Sequence, residues 1–250
     1  MIIIRKKILN SGTLYIFIFF TFIASIVYVS IKIALAPTVA PSSEITERVK
    51  GDYILMLLQS IFGAAAMLLP SFLIHRINLK IPSFMLIMYA VFLYCAIYLG
   101  EVRNFYYNVP HWDTILHTFS GAGLGALGFS IVTLLNKSEN ITFTLSPGFV
   151  ALFAFCFAVS LGVIWEFYEF GMDCFLNTNM QKYALETGEL LIGQESTKDT
   201  MKDLIVDSAG AFIISTIGYI SLKYDKGWTE RFKVKIEEEK AENESRRKNK

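Results

Sequence analysis

The chain has 250 residues, of which 54% are hydrophobic and 18% charged, a mean hydropathy of +0.47 and a formal net charge of +1. Ordinary soluble domains carry roughly 25% charged residues, so a soluble enzyme is excluded. Three cysteines, six prolines and near-neutral charge likewise give no basis for a disulfide-stapled scaffold, a collagen-like chain or a nucleic-acid partner.

A membrane-spanning helix needs about 20 apolar residues. Six stretches qualify in chain order: Leu14–Leu35, Asp52–Ile74, Ile81–Gly100, Trp112–Leu135, Pro147–Phe170 and Asp199–Leu222. None alternates with period two, so the expectation is an all-α polytopic bundle rather than a barrel. The first run follows Arg5, Lys6 and Lys7 and ends at Ala34-Leu35-Ala36 before Pro37. It is longer than the apolar part of a signal peptide and is read as a retained helix. Residues 1–222 then form the transmembrane domain, and 223–250 a charged cytoplasmic tail with ten basic and seven acidic residues.

The Lys/Arg distribution sets the orientation. Arg5, Lys6, Lys7, Arg76, Lys80, Lys137 and the ten tail residues fall on one side; Arg48, Lys50, Arg103, Lys182 and Lys198 fall in loops on the other. Both termini are therefore expected in the cytoplasm. On this topology the outer side, with the outer halves of the spans, carries a charge of −7 and the cytoplasmic side +8.

Three segments place ionisable residues where membrane helices avoid them. Span four opens with Asp113 and His117, four residues apart. Span five closes with Glu166, Glu169 and Asp173, within about 60° of one another around a helix axis. Span six opens with Asp199, Asp203 and Asp207, spread over about 80°. All three sets fall at the same, extracytoplasmic boundary. Seven carboxylates there require a cation, shared protons or bases. The bases in view are Arg103, Lys202, His117 and the nearby His111. Asp113 and Asp199 taken alone also read as helix N-caps, whereas the span-five set lies where the helix dipole opposes it.

Gly121, Gly123, Gly125 and Gly128 in span four, and Ala209, Gly210, Ala211 and Gly218 in span six, predict close helix approach. Ser120 follows His117 by three residues, but no G-x-S-x-G context marks a serine hydrolase. Cys95, Cys156 and Cys174 form no C-x-x-C pair.

The pattern resembles VanZ-like membrane proteins, which carry Asp-x3-His, Glu-x2-Gln and Asp-x3-Asn-x2-Gly. The matching residues are Asp113 and His117, Glu166 and Glu169, and Asp203, Asp207 and Gly210, with Glu169 and Asp207 departing from the family's Gln and Asn. It is also similar, over about residues 85–220, to YjdF-type bacterial inner-membrane proteins. There an Arg-Asn pair, here Arg103-Asn104, precedes the Asp-x3-His element, and Asp-Thr-x-x-Asp, here Asp199 to Asp203, opens the last helix. The resemblance implies a cell-envelope protein; VanZ-like proteins are associated with glycopeptide tolerance.

Three functions compete. In the first, Asp113, His117, Glu166, Glu169, Asp199, Asp203 and Asp207 hold a divalent ion (Mg²⁺, Mn²⁺, Ca²⁺ or Zn²⁺), with Asp113, His117 and Glu166 as catalytic groups acting on a lipid-linked envelope substrate. Arg103, Asn104, Asp173 and Lys202 would contact substrate or support the ligands. In the second, the carboxylates serve a cation- or proton-coupled transporter, against which stands the lack of a polar relay in the inner halves of the spans. In the third, the acidic mouth of a non-catalytic envelope factor binds a cationic ligand.

Overall fold

The computed structural model describes residues 11–37, 50–77, 79–136, 145–185, 189–228 and 235–236. Arg5, Lys6, Lys7, Glu44, Glu47, Arg48, Lys137, Glu139, Glu186 and most of the charged tail lie outside the described residues. The architecture is all-helical apart from one two-residue strand pair: α1 (Ser11–Leu35), α2 (Lys50–Ile77), α3 (Ser83–Leu93) running into a π-helical stretch (Tyr94–Val102), the short α4 (Phe105–Asn108), α5 (Trp112–Asn136), α6 (Pro147–Leu176) and α7 (Lys198–Lys223). Among the described residues six helices are long and apolar enough to cross a membrane, and each coincides with an expected span. The largest departure is α6, which continues six residues past Phe170 to a left-handed cap at Asn177. Asp173 is thereby helical and buried.

Exposure is inverted relative to a soluble protein. Phe17, Phe20, Phe72, Phe153, Phe167 and Phe212 are exposed, while Glu166, Glu169, Asp173, Asp203 and Asp207 are buried. Water would reverse both choices; hydrocarbon outside and a polar interior account for them.

The chain divides into two compact units. The first contains α1, nearly all of α2, and α3 with its π-helical end. Its core is Ile18, Phe22, Met67, Ala90, Leu93 and Ile97. Pro70 interrupts α2, and a helical proline cannot donate to the carbonyl four residues earlier. That carbonyl, on Ala66, accepts instead from the Tyr89 hydroxyl at 2.9 Å, and the adjacent Met67 carbonyl accepts from Tyr15. Two tyrosines thus satisfy backbone groups that lipid cannot. Leu79–Lys80 (β1) pairs antiparallel with Lys235–Ile236 (β2).

The second unit is built on α5, α6 and α7. Helices in lipid associate through van der Waals packing rather than water exclusion, which favours small residues at contacts. A Cβ on Gly121 would lie 2.1 Å from the backbone oxygen of Asp207, and one on Gly210 would lie 2.2 Å from that of Thr118. No side chain fits at either position, so glycine alone permits this α5–α7 approach. Gly125 faces Ala211, and Gly128 faces Ala154 and Phe157 of α6. Gly123, expected in the same seam, has nothing within 4 Å of its Cβ position. Two residues beyond Gly121, it sits about 200° around the helix and points away. Asn136 joins the end of α5 to the start of α6 through both its amide groups, bonded to the Leu145 backbone at 2.6 and 3.2 Å. Ser146 caps α6, accepting from Phe149 N–H, with Pro147 in the first turn.

Candidate functional site

The glycine seam brings the start of α5 beside the start of α7. Asp113 and His117 are one turn apart on α5, and Asp203 and Asp207 one turn apart on α7. His117 sits among these acids. Its Nε2 is 3.6 Å from Asp113 Oδ1 and 3.9 Å from Asp203 Oδ2, and its Nδ1 is 3.2 Å from Asp207 Oδ2. One ligand atom from each of Asp113, His117 and Asp203 lies within 4.8 Å of the other two. The two His117 separations, 3.6 and 3.9 Å, are longer than the ~3.0–3.5 Å edges of a polyhedron whose ligands lie about 2.1 Å from one ion, so the group would contract around a cation.

Asp207 fixes the imidazole. Its second oxygen accepts from the Ser120 hydroxyl at 2.7 Å, and a Cβ on Gly162 of α6 would be 3.2 Å from Oδ2. Gly162 therefore leaves room for the carboxylate. A carboxylate on one imidazole nitrogen, leaving the other facing further acids, is the outer-shell arrangement that orients a metal-ligating histidine. Ser120 bonds to the acid and to the His117 carbonyl, at 2.7 and 2.9 Å, not to the imidazole. It is not placed as an activated nucleophile.

The α6 acids divide by role. Glu169 accepts from Trp165 Nε1 at 2.9 Å. Glu166 Oε2 is 3.4 Å from Gln181 Nε2, which also donates to Thr200 Oγ1 at 2.9 Å. Asp173 organises the segment that follows its own helix: its carboxylate accepts from Thr178 Oγ1, Met180 N–H at 2.7 Å and Gln181 N–H at 3.0 Å. Among the described residues two buried carboxylate oxygens are left without a hydrogen-bond partner, Glu166 Oε1 and Asp203 Oδ1. Asp203 is only 1% exposed, and an unpaired acceptor so deep is costly.

The principal base is one that sequence reasoning missed. Lys182, in the segment between α6 and α7, places its ammonium on Asp113 Oδ2 and on both oxygens of Asp199, the latter at 3.0 Å. Burial opposes its charge, but Asp113 and then Asp199 outweigh that penalty and hold the ammonium above the usual lysine range. Lys202, expected to supply positive charge, is exposed. It lies about 100° around the axis from Asp203. Asp199 uses its oxygens on Lys182. Arg103 and Asn104 belong to the first unit. Arg103 lines a groove of about 420 Å³ of mixed character with Phe17, Phe20, Thr21, Ser25 and Tyr98, and Asn104 makes a left-handed turn after the π-helical stretch.

A model of the predicted membrane protein family DUF2238 matches residues 14–224, and the chain belongs to that family. A Thermotoga maritima protein named "Uncharacterized protein" is 32% identical over 131 residues, which is 52% of this chain and 58% of that protein. The chain thus spans less than two thirds of that relative's length. No solved structure matches.

Proposed function

We propose that this multi-pass membrane protein binds a divalent cation through His117 Nε2, Asp113 and Asp203 at the extracytoplasmic end of α5 and α7, and acts there on a lipid-linked envelope substrate. The observation that carries the reading is Asp203: almost wholly buried, with one oxygen beside His117 and the other without any partner. A cation relieves both the crowding of like charges and the unpaired acceptor. It supplies Lewis acidity, which polarises a phosphoryl or carbonyl oxygen or activates water. Asp207, braced by Ser120, orients His117. To Glu166, which keeps one buried oxygen without a hydrogen-bond partner, we assign the role of taking a proton from an attacking water.

The outward-facing orientation rests on the basic residues, and the bacterial inner membrane on the resemblance to YjdF-type proteins. The β1–β2 pairing supports the orientation, because it joins the segment after α2, with Lys80, to the Lys-rich C-terminal tail, so the two lie on one side. The VanZ-like motif pattern supports an envelope role. Transport is disfavoured by the seam itself: Gly121 meets Asp207 backbone to backbone, leaving no room for a pathway between α5 and α7 at that depth.

The test is thermal unfolding of the purified protein in detergent with Mg²⁺, Mn²⁺, Ca²⁺ and Zn²⁺. At least one ion should raise the midpoint saturably, and Asp203→Asn should abolish the gain. Superimposable melts with every ion would sink the reading. Turnover of a lipid-linked phosphate in detergent, lost in Glu166→Gln with ion binding intact, would support the enzymatic part.

A further inference from the structure

We infer that Asp113 and Asp199 form a seat for a primary ammonium group, filled from within the chain by Lys182, and that Lys182 is thereby the tethered rival of any cation that reaches His117. The second half rests on the metal reading above; the first does not.

The seat is defined by stoichiometry. An ammonium has three N–H donors and no acceptor. Three carboxylate oxygens converge on Lys182 Nζ: Asp113 Oδ2, Asp199 Oδ1 and Asp199 Oδ2. Lys182 is 38% exposed at its side chain, against 2% for Asp203 and 11% for His117. The ammonium therefore sits at the mouth, where a solvent-borne amine reaches it, and the His117 group lies behind.

Lys182 is held there independently of its charge. Its backbone is left-handed, with φ of 49°, a conformation unfavourable for a residue with a Cβ. The neighbouring segment fixes it: Asp173 binds the Met180 and Gln181 amides, and Asn179 brackets both backbone groups of Ala184. Withdrawal of the ammonium leaves these anchors intact, so the side chain can leave while the segment stays.

Rivalry follows from Asp113. One of its oxygens serves Lys182, and the other faces His117 Nε2 at 3.6 Å. Two cations sharing one carboxylate repel, and each weakens the other's binding by the same factor. Asp203, with one oxygen 3.9 Å from His117 Nε2, keeps its other, buried oxygen without a hydrogen-bond partner, which leaves an acceptor for a cation beside His117. The ligand class of the mouth is thus a primary amine, borne either by a lipid headgroup or by a free small molecule.

The experiment uses full-length protein and two variants, Lys182→Ala and Lys182→Met. In detergent, Lys182→Ala should melt below wild type, and millimolar propylammonium should restore the midpoint saturably. Choline, which lacks N–H donors, should not, and wild type, whose seat Lys182 fills, should need at least about tenfold more propylammonium for a comparable shift. No rescue by propylammonium, or equal rescue by choline, overturns the seat. In nanodiscs, Lys182→Ala stabilised by phosphatidylethanolamine over phosphatidylcholine identifies the lipid as a source. Rescue by soluble propylammonium with no lipid preference identifies the free amine. For the rivalry, Lys182→Met should bind Mn²⁺ at least about tenfold more tightly than wild type. Equal Mn²⁺ midpoints overturn it. Propylammonium rescue with no Mn²⁺ binding to either form overturns the metal reading and leaves the seat standing.

Discussion

The two helical units solve the same problem by opposite means. In the first, large side chains fill the space between helices: Phe22 and Met67 are fully buried, and Leu93 and Ile97 pack with them. In the second, α5 and α7 meet through glycine, backbone against backbone, and the interior holds carboxylates. A side-chain core tolerates adjustment because its parts rotate. A backbone seam does not. The rigid seam is also where the polar groups lie, as expected if a fixed geometry has to be held against charge repulsion.

The sharpest test of that contrast compares glycines. Gly121→Ala and Gly210→Ala drive a methyl group into backbone and should destabilise by more than about 3 kcal/mol, with loss of folded protein on size exclusion. Gly63→Ala meets the tips of the Ile97 and Phe22 side chains, at 2.8 and 3.0 Å, and should cost only about 1 kcal/mol. Similar melting points for all three would erase the distinction. Next in size, Met67→Ala should cost about 2 kcal/mol through lost packing alone, since lipid replaces water as the outer solvent. Divalent-ion stabilisation should survive that change. Asp173→Asn should weaken the amide contacts that hold residues 178–181 by roughly 1–2 kcal/mol, and limited proteolysis should then cut between α6 and α7 faster than in wild type.

The smallest effect concerns pH. Lys182 is held above its ordinary value of roughly 10.4 by Asp113 and Asp199. A raised pKa contributes stability that is complete below the unfolded value and lost as pH climbs through the folded one. The difference in melting temperature between wild type and Lys182→Met should therefore be flat from pH 7 to 9 and shrink above about pH 10. A difference that shrinks already between pH 7 and 9 would show that the ion pair is not what Lys182 contributes.

Hydropathy made the six spans legible because apolar length is a one-dimensional property. The same held for Asp113 with His117 and for Asp203 with Asp207, where four-residue spacing puts each pair on one face. Lys182 was not legible. It lies in a segment without helical period, and its partners are 69 and 17 residues away in sequence. Its one visible sign was a positive charge in the sequence between two acid-bearing spans. Lys202 drew attention by proximity in sequence but is exposed, whereas Asp173 has a supporting place: its acceptors serve backbone amides, among them that of Gln181, whose side chain reaches Glu166. Gly123 was separable by angle, since Gly121, Gly125 and Gly128 share a face that it does not. The π-helical stretch and the tyrosine bonds around Pro70 left no mark in composition because they depend on neighbouring helices.

The seam has a bearing on traffic. Where neither helix can accept even one more methyl group, no acyl chain can slip sideways between α5 and α7 to reach the acids. The α5–α7 seam is therefore closed to any ligand of His117, and a lipid that reaches these acids keeps its tail out of that seam.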